Sequence, residues 1–141
     1  MNRKQAREQA FILIFENSFQ SECATDDIIA LYNEVAQLSD GDDELMVQVD
    51  DFAANLMKGV MENISAVDAV IEKYAIGWSL SRIPKVTLSI LRMAIYEMDF
   101  VDEIPVGVSI NEAVEIAKKY STKEDSAFIN GILGKYAREK E

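Results

Sequence analysis

Residues 104–133 read IPVGVSINEAVEIAKKYSTKEDSAFINGIL, and the periodicity of this stretch sets the fold class. Ile110, Ala113, Val114, Ala117 and Tyr120 recur at the three- and four-residue spacing that puts apolar side chains on one helix face, with Asn111, Glu115 and Lys118 on others. Ser109 and Glu112 have the S-x-x-E spacing of a capping box, which predicts a helix start there. Ser121-Thr122-Lys123-Glu124-Asp125 is a polar break with overlapping caps, and Phe128, Ile132, Leu133 and Tyr136 resume helical spacing behind it. Asn130-Gly131 would turn a hairpin between alternating strands. Between helically spaced neighbours, Gly131 instead reads as a helix residue packed closely against another helix.

The remainder follows the same pattern. Apolar positions predict helices from about Lys4 to Phe19, from Asp26 or Asp27 to Leu38, and from Asp42 to about Glu62 with Phe52 facing inward. Gln9 and Glu16 fall off the apolar stripe of the first, and Ser39-Asp40-Gly41-Asp42-Asp43 reads as a turn that caps the third. Ser65-x-x-Asp68 opens a short helix to about Tyr74 or Ile76, which Gly77-Trp78-Ser79 ends. From Pro84 to Met98 the chain is apolar nearly all round, as in the buried centre of a bundle. No repeat or linker interrupts the 141 residues. The reading is one all-α domain of six to seven helices.

Composition narrows the chemistry. There is no histidine and a single cysteine, Cys23. A zinc site, a histidine general base, a Ser-His-Asp triad and an intramolecular disulfide are therefore excluded, and a lone thiol fits a reducing cytoplasm. No nucleotide-binding glycine motif is present. Asp26-Asp27, Asp42-Asp43-Glu44 and Asp50-Asp51 lack the spacing of a metal loop and read as solvated faces and caps. No catalytic residue, metal or cofactor is expected. The opening residues fit neither a signal peptide nor a membrane span.

The net charge of −11 is concentrated. Eleven acids and no Lys or Arg lie between Glu16 and Asp51, and the remaining residues balance. Arg3, Lys4 and Arg7 precede that block, with Glu8 against them. They read as a small cationic patch at a helix start, where free backbone N–H groups also favour an anion.

Three segments carry a family resemblance: Ala6-Arg7-Glu8-Gln9-Ala10, the central Ile83–Met98 (IPKVTLSILRMAIYEM), and Ile104–Leu133. Their order and spacing resemble the NusB family of bacterial transcription antitermination factors. The resemblance implies two small helical bundles side by side, about residues 1–76 and 77–141. It also implies a cytoplasmic, non-enzymatic protein that binds boxA RNA with the ribosomal protein NusE and joins the RNA polymerase antitermination complex. The family's RNA contacts fall on Arg3, Lys4, Arg7, Phe15, Lys123, Glu124, Ser126 and Phe128, and its partner-facing helix start falls on Lys85 and Thr87. Gln5 stands where relatives can carry another arginine, and Thr87 where well-known members carry a carboxylate. If the first and last helix starts meet, Lys123 and Phe128 lie beside the N-terminal bases. The alternative is a helical protein–protein adaptor, or an RNA-methyltransferase accessory-type domain, without independent RNA binding.

Overall fold

A computed structural model describes residues 2–18, 28–30, 33 and 48–140. Among these residues the regular secondary structure is all helical, with α1 (Arg3–Asn17), α2 (Asp51–Glu62), α3 (Ile64–Tyr74), a 3-10 turn (Leu80–Arg82), α4 (Lys85–Phe100), α5 (Val106–Tyr120) and α6 (Lys123–Lys140). The apolar helix α4 is the axis of the fold. It packs against each of the other five, and Ile90, Leu91 and Ile95 are completely buried in it. A helix apolar on most faces has no stable place except between others. Helix α1 lies across α4 and α2, α5 and α6 pack on each other and on α4, and α5 also meets α1 through the Phe11 and Tyr120 rings.

Helix α1 opens with a reciprocal cap. The Asn2 side chain accepts the Gln5 N–H at 2.8 Å, and the Gln5 side chain accepts the Asn2 N–H at 3.1 Å, so two orphan donors are satisfied at once. Before α6 the cap is one-way: the Thr122 hydroxyl accepts the Asp125 N–H at 3.1 Å. The predicted turn at residues 39–43 and most of the predicted helix from Asp26 or Asp27 to Leu38 lie outside the described residues. Residues 28–30 and Asn33 are helical, and Ile28 is buried in the core.

Several expectations are corrected by packing. Of the helix expected from Asp42, residues 42–47 lie outside the described residues, and residues 48–50 are not helical but held by distant side chains, so that α2 begins at Asp51. The Asp50 N–H donates to Gln9 at 2.8 Å and the Val49 N–H to Asn33 at 2.7 Å, while Asp50 caps Phe52. Gln9 is thus fully buried, not off the stripe. Helix α5 starts at Val106, a turn before Ser109, so no capping box forms there; buried Ser109 donates its hydroxyl to Glu97 at 2.9 Å. Ser65 likewise lies inside α3, which follows Asn63, and Asp68 instead accepts two bonds from Arg92 at 2.9 and 3.0 Å. Gly131 is exposed, and a methyl group added there would touch nothing. The glycine that admits a neighbour is Gly59 on α2, where an added Cβ would sit 2.1 Å from the Tyr96 ring.

Candidate nucleic-acid interface

The cap at Asn2 fixes where the first basic side chains point. Arg3 and Lys4 are exposed on the first turn of α1. The Arg3 guanidinium lies 4.0 Å from the centre of the Phe52 ring, and that of Arg7 lies 5.6 Å from the same centre. A cation over a ring face gains from the ring quadrupole, and the stacked arginine spends less of its time in other rotamers. Phe52 is therefore a support for Arg3 that the sequence pattern alone assigned to the core.

Arg7 does not belong to the exposed patch. It is 5% exposed, and its Nε lies 3.0 Å from both carboxylate oxygens of Glu97, itself 1% exposed. The terminal nitrogen adds a 2.9 Å contact, and Ser109 donates to the same carboxylate. Two charges taken out of water persist only when paired and hydrogen-bonded, and both conditions hold here. The Arg7 charge is spent inside the protein, tying α1 to α4 and α5.

Two surface grooves carry Lys4 and three lysines of α5 and α6. One, of about 310 Å³, is lined by Lys4, Glu8, Glu115, Ile116, Lys118 and Lys119. The other, of about 520 Å³, runs between α5 and α6 and is lined by Lys118, Lys123, Ser126 and Asn130 among others. Lys118 lines both, so the N-terminal end of α1 and the start of α6 are joined by a line of lysines. Glu8 does not neutralise Lys4; it pairs with Lys119 and accepts the Tyr120 hydroxyl at 2.5 Å. Lys118 makes a 3.4 Å contact with Glu115, in an exposed pair of the kind that contributes little.

The other anticipated residues divide by burial. Lys123 and Glu124 are exposed on the first turn of α6, whereas Ser126 is 5% exposed and turned inward to the Thr122 carbonyl at 3.2 Å. Phe15 is half-buried and stacked on Phe11, which also meets Tyr120 at 5.1 Å. Phe128 is half-buried against Trp78, with ring centres 6.2 Å apart, so its aromatic neighbour comes from the loop after α3 and not from α1. At the start of α4, Lys85 is exposed and donates to the Ser18 carbonyl at the end of α1 at 2.9 Å. Thr87 is fully buried with an unpartnered hydroxyl, because two residues, about half a turn, round the helix the side chain faces the core. It offers no surface to a partner.

Chemically, the surface combines exposed cations, the amide of Asn130 and half-buried rings. That set can neutralise phosphates, hydrogen-bond base edges and stack unpaired bases. Among the described residues no group of His, Cys, Asp or Glu is placed to hold a metal, and no helix is long and apolar enough to cross a membrane.

Comparison with known proteins places this surface in context. The sequence model of the NusB family matches residues 4–138. The transcription antitermination protein NusB of Acetivibrio thermocellus is 44% identical over 140 residues, covering 99% of this chain and 91% of that protein. The solved structure of T. maritima NusB has a TM-score of 0.80 at 33% identity, covering 99% of this chain and 92% of that one. A crystal structure of antitermination factors NusB and NusE in complex with dsRNA has a TM-score of 0.79 at 23% identity, over 97% of this chain and 96% of that one, a likeness of fold alone.

Proposed function

The chain belongs to the NusB family, and from that premise we propose that it is a transcription antitermination factor. In this reading it binds boxA RNA together with the ribosomal protein NusE, joins elongating RNA polymerase in the bacterial cytoplasm, and acts by binding without catalysis. The observation that carries the RNA-binding part is the line of lysines from Lys4 through Lys118 to Lys123. In a protein of net charge −11 it groups exposed positive charge where phosphates can be neutralised. The acidic block from Glu16 to Asp51 favours a basic partner, since complementary charge speeds encounter.

The working RNA set is Arg3, Lys4, Lys118 and Lys123, with Phe15, Glu124 and Phe128 at its edges. Arg7 acts through the fold, by holding the helix that carries Arg3 and Lys4. Ser126 helps fix the start of α6. Lys85 is the better candidate for partner contact than buried Thr87.

The test is the double reversal Arg3→Glu with Lys4→Glu, measured with labelled boxA RNA in the presence and absence of NusE. Each phosphate contact adds roughly 0.7 to the salt slope of single-strand binding, so losing two should flatten it by about 1.4. Affinity should fall while the melting temperature stays at the wild-type value, because exposed charges contribute little to folding. NusE should tighten RNA binding by the wild type. RNA affinity unmoved by the reversal would remove Arg3 and Lys4 from the RNA site, affinity unmoved by NusE would sink the joint-binding reading, and no RNA binding with or without NusE would leave an adaptor that binds no RNA itself.

A further inference from the structure

Among the described residues, four large apolar side chains stand in water, Ile76, Trp78, Phe100 and Val108. Phe100 stacks on Tyr96, with ring centres 5.0 Å apart. Trp78 differs, because its exposed ring is paired with Phe128, an aromatic of α6 already among the proposed RNA contacts.

The Trp78 ring is 50% exposed although its backbone is fixed. The turn that carries it is closed by the Ala75 N–H to the Ile71 carbonyl at 2.8 Å and the Trp78 N–H to the Ala75 carbonyl at 3.0 Å. Gly77 takes φ +84°, a conformation that favours glycine, and lets the chain reverse directly before the tryptophan. The 3-10 turn from Leu80 follows at once. The ring is therefore held half in water by a rigid support.

Phe128 meets it at an interplanar angle of 66°. An edge-to-face contact covers at most one face of either ring, so an indole face is left uncovered by Phe128. The turn that carries the ring is polar and offers a cation: Ser79, Ser81 and Arg82 are exposed on it. An apolar protein partner would want a broader greasy patch than two rings and Ile76. A nucleobase wants one flat ring and a cation for the adjoining phosphate.

We propose that Trp78 is a base-stacking residue, forming with Phe128 of α6 a paired aromatic platform for unpaired bases of single-stranded RNA, with Arg82 on the same turn as the cation for the adjoining phosphate. This assignment rests on the RNA-binding reading above and adds to it a residue on the loop after α3.

Trp78 is the single tryptophan of the chain, so its fluorescence reports on this position alone. Titration with boxA RNA is followed in parallel by anisotropy of an end-labelled RNA and by tryptophan emission, with Trp78→Phe as the spectroscopic blank when NusE is present. Stacking should quench the emission with the same midpoint as the anisotropy. Trp78→Ala should weaken RNA binding about 5- to 150-fold, the range for loss of one stacked base. Trp78→Phe should recover most of that loss, and both variants should melt cooperatively.

Saturable RNA binding with unchanged emission, or wild-type affinity in Trp78→Ala, overturns the assignment while leaving the RNA function standing. A spectral change on adding NusE without RNA, with none on adding RNA, makes the ring a protein contact and overturns it equally. If wild-type protein with NusE binds no RNA at all, the functional reading falls and this inference falls with it.

Discussion

Replacing Arg7 with Met removes the guanidinium and leaves the Glu97 carboxylate 1% exposed with only the Ser109 hydroxyl to answer it. The methionine keeps much of the aliphatic bulk, so the loss is chiefly electrostatic. Breaking a buried pair by deleting one partner costs about 3–5 kcal/mol, because an uncompensated charge stays behind. Against a total stability of about 5–15 kcal/mol that is a large fraction. At roughly 3–4 °C per kcal/mol for a domain of this size, the melting temperature should fall by about 10–20 °C. Thermal unfolding followed by far-ultraviolet circular dichroism measures this directly, with urea unfolding as a second route. The double variant Arg7→Met with Glu97→Leu removes both charges and should regain most of the loss. An Arg7→Met variant within about 1 kcal/mol of wild type would refute the reasoning. It would mean that Glu97 is not desolvated and that Arg7 is available to RNA after all. A double variant as unstable as the single one would place the cost in packing instead of charge.

Gly59→Ala should destabilise by about 1–3 kcal/mol, since its Cβ would enter the Tyr96 ring; chemical denaturation checks it, and Tyr96→Phe, which removes only the hydroxyl, should relieve part of the loss. Gly131→Ala should raise stability by about 0.5–1 kcal/mol, because the site is an exposed helix interior with open space around it; a lower melting temperature would show a contact there. Burial, then the hydrogen bond to Asp99 at 2.7 Å, hold the Tyr136 phenol well above its ordinary 10.0. A group whose folded value is raised contributes stability that is complete below the unfolded value and lost as pH climbs past it. The urea midpoint should therefore fall above pH 10 more steeply in wild type than in Tyr136→Phe, and parallel curves would contradict the assignment.

Much of the candidate site was legible as residue type and place along the chain. Arg3 and Lys4 before an acidic block, and Lys123 and Phe128 at the start of the last helix, are visible without any structure. Their sorting into exposed and buried was not. Arg7 lies one helical turn from Arg3 and looks equivalent in sequence, yet its partner is ninety residues away. Thr87 and Lys85 are two positions apart, which is enough to turn one into the core and the other into water. Phe52 as a support for Arg3, and Trp78 as the neighbour of Phe128, carry no local signal at all, because each depends on which helix arrives beside it.

The sequence by itself determined what one helix turn can encode. Apolar spacing set the helices, the Thr122 side chain set the start of α6, and an all-round apolar segment set α4 as the axis. These properties depend on residues three or four positions apart, so pattern suffices for them. Tertiary structure decided what becomes of the polar residues on those helices. Gln9 was drawn inside to hold the backbone of residues 48–50, Ser109 was taken from a cap to a buried carboxylate, and Gly59 instead of Gly131 became the point of close approach. The physical reason is common to all three. A buried polar group must find its partner wherever the fold supplies one, and a close approach needs a neighbour to approach, so neither is specified by the residues on either side of it in the chain.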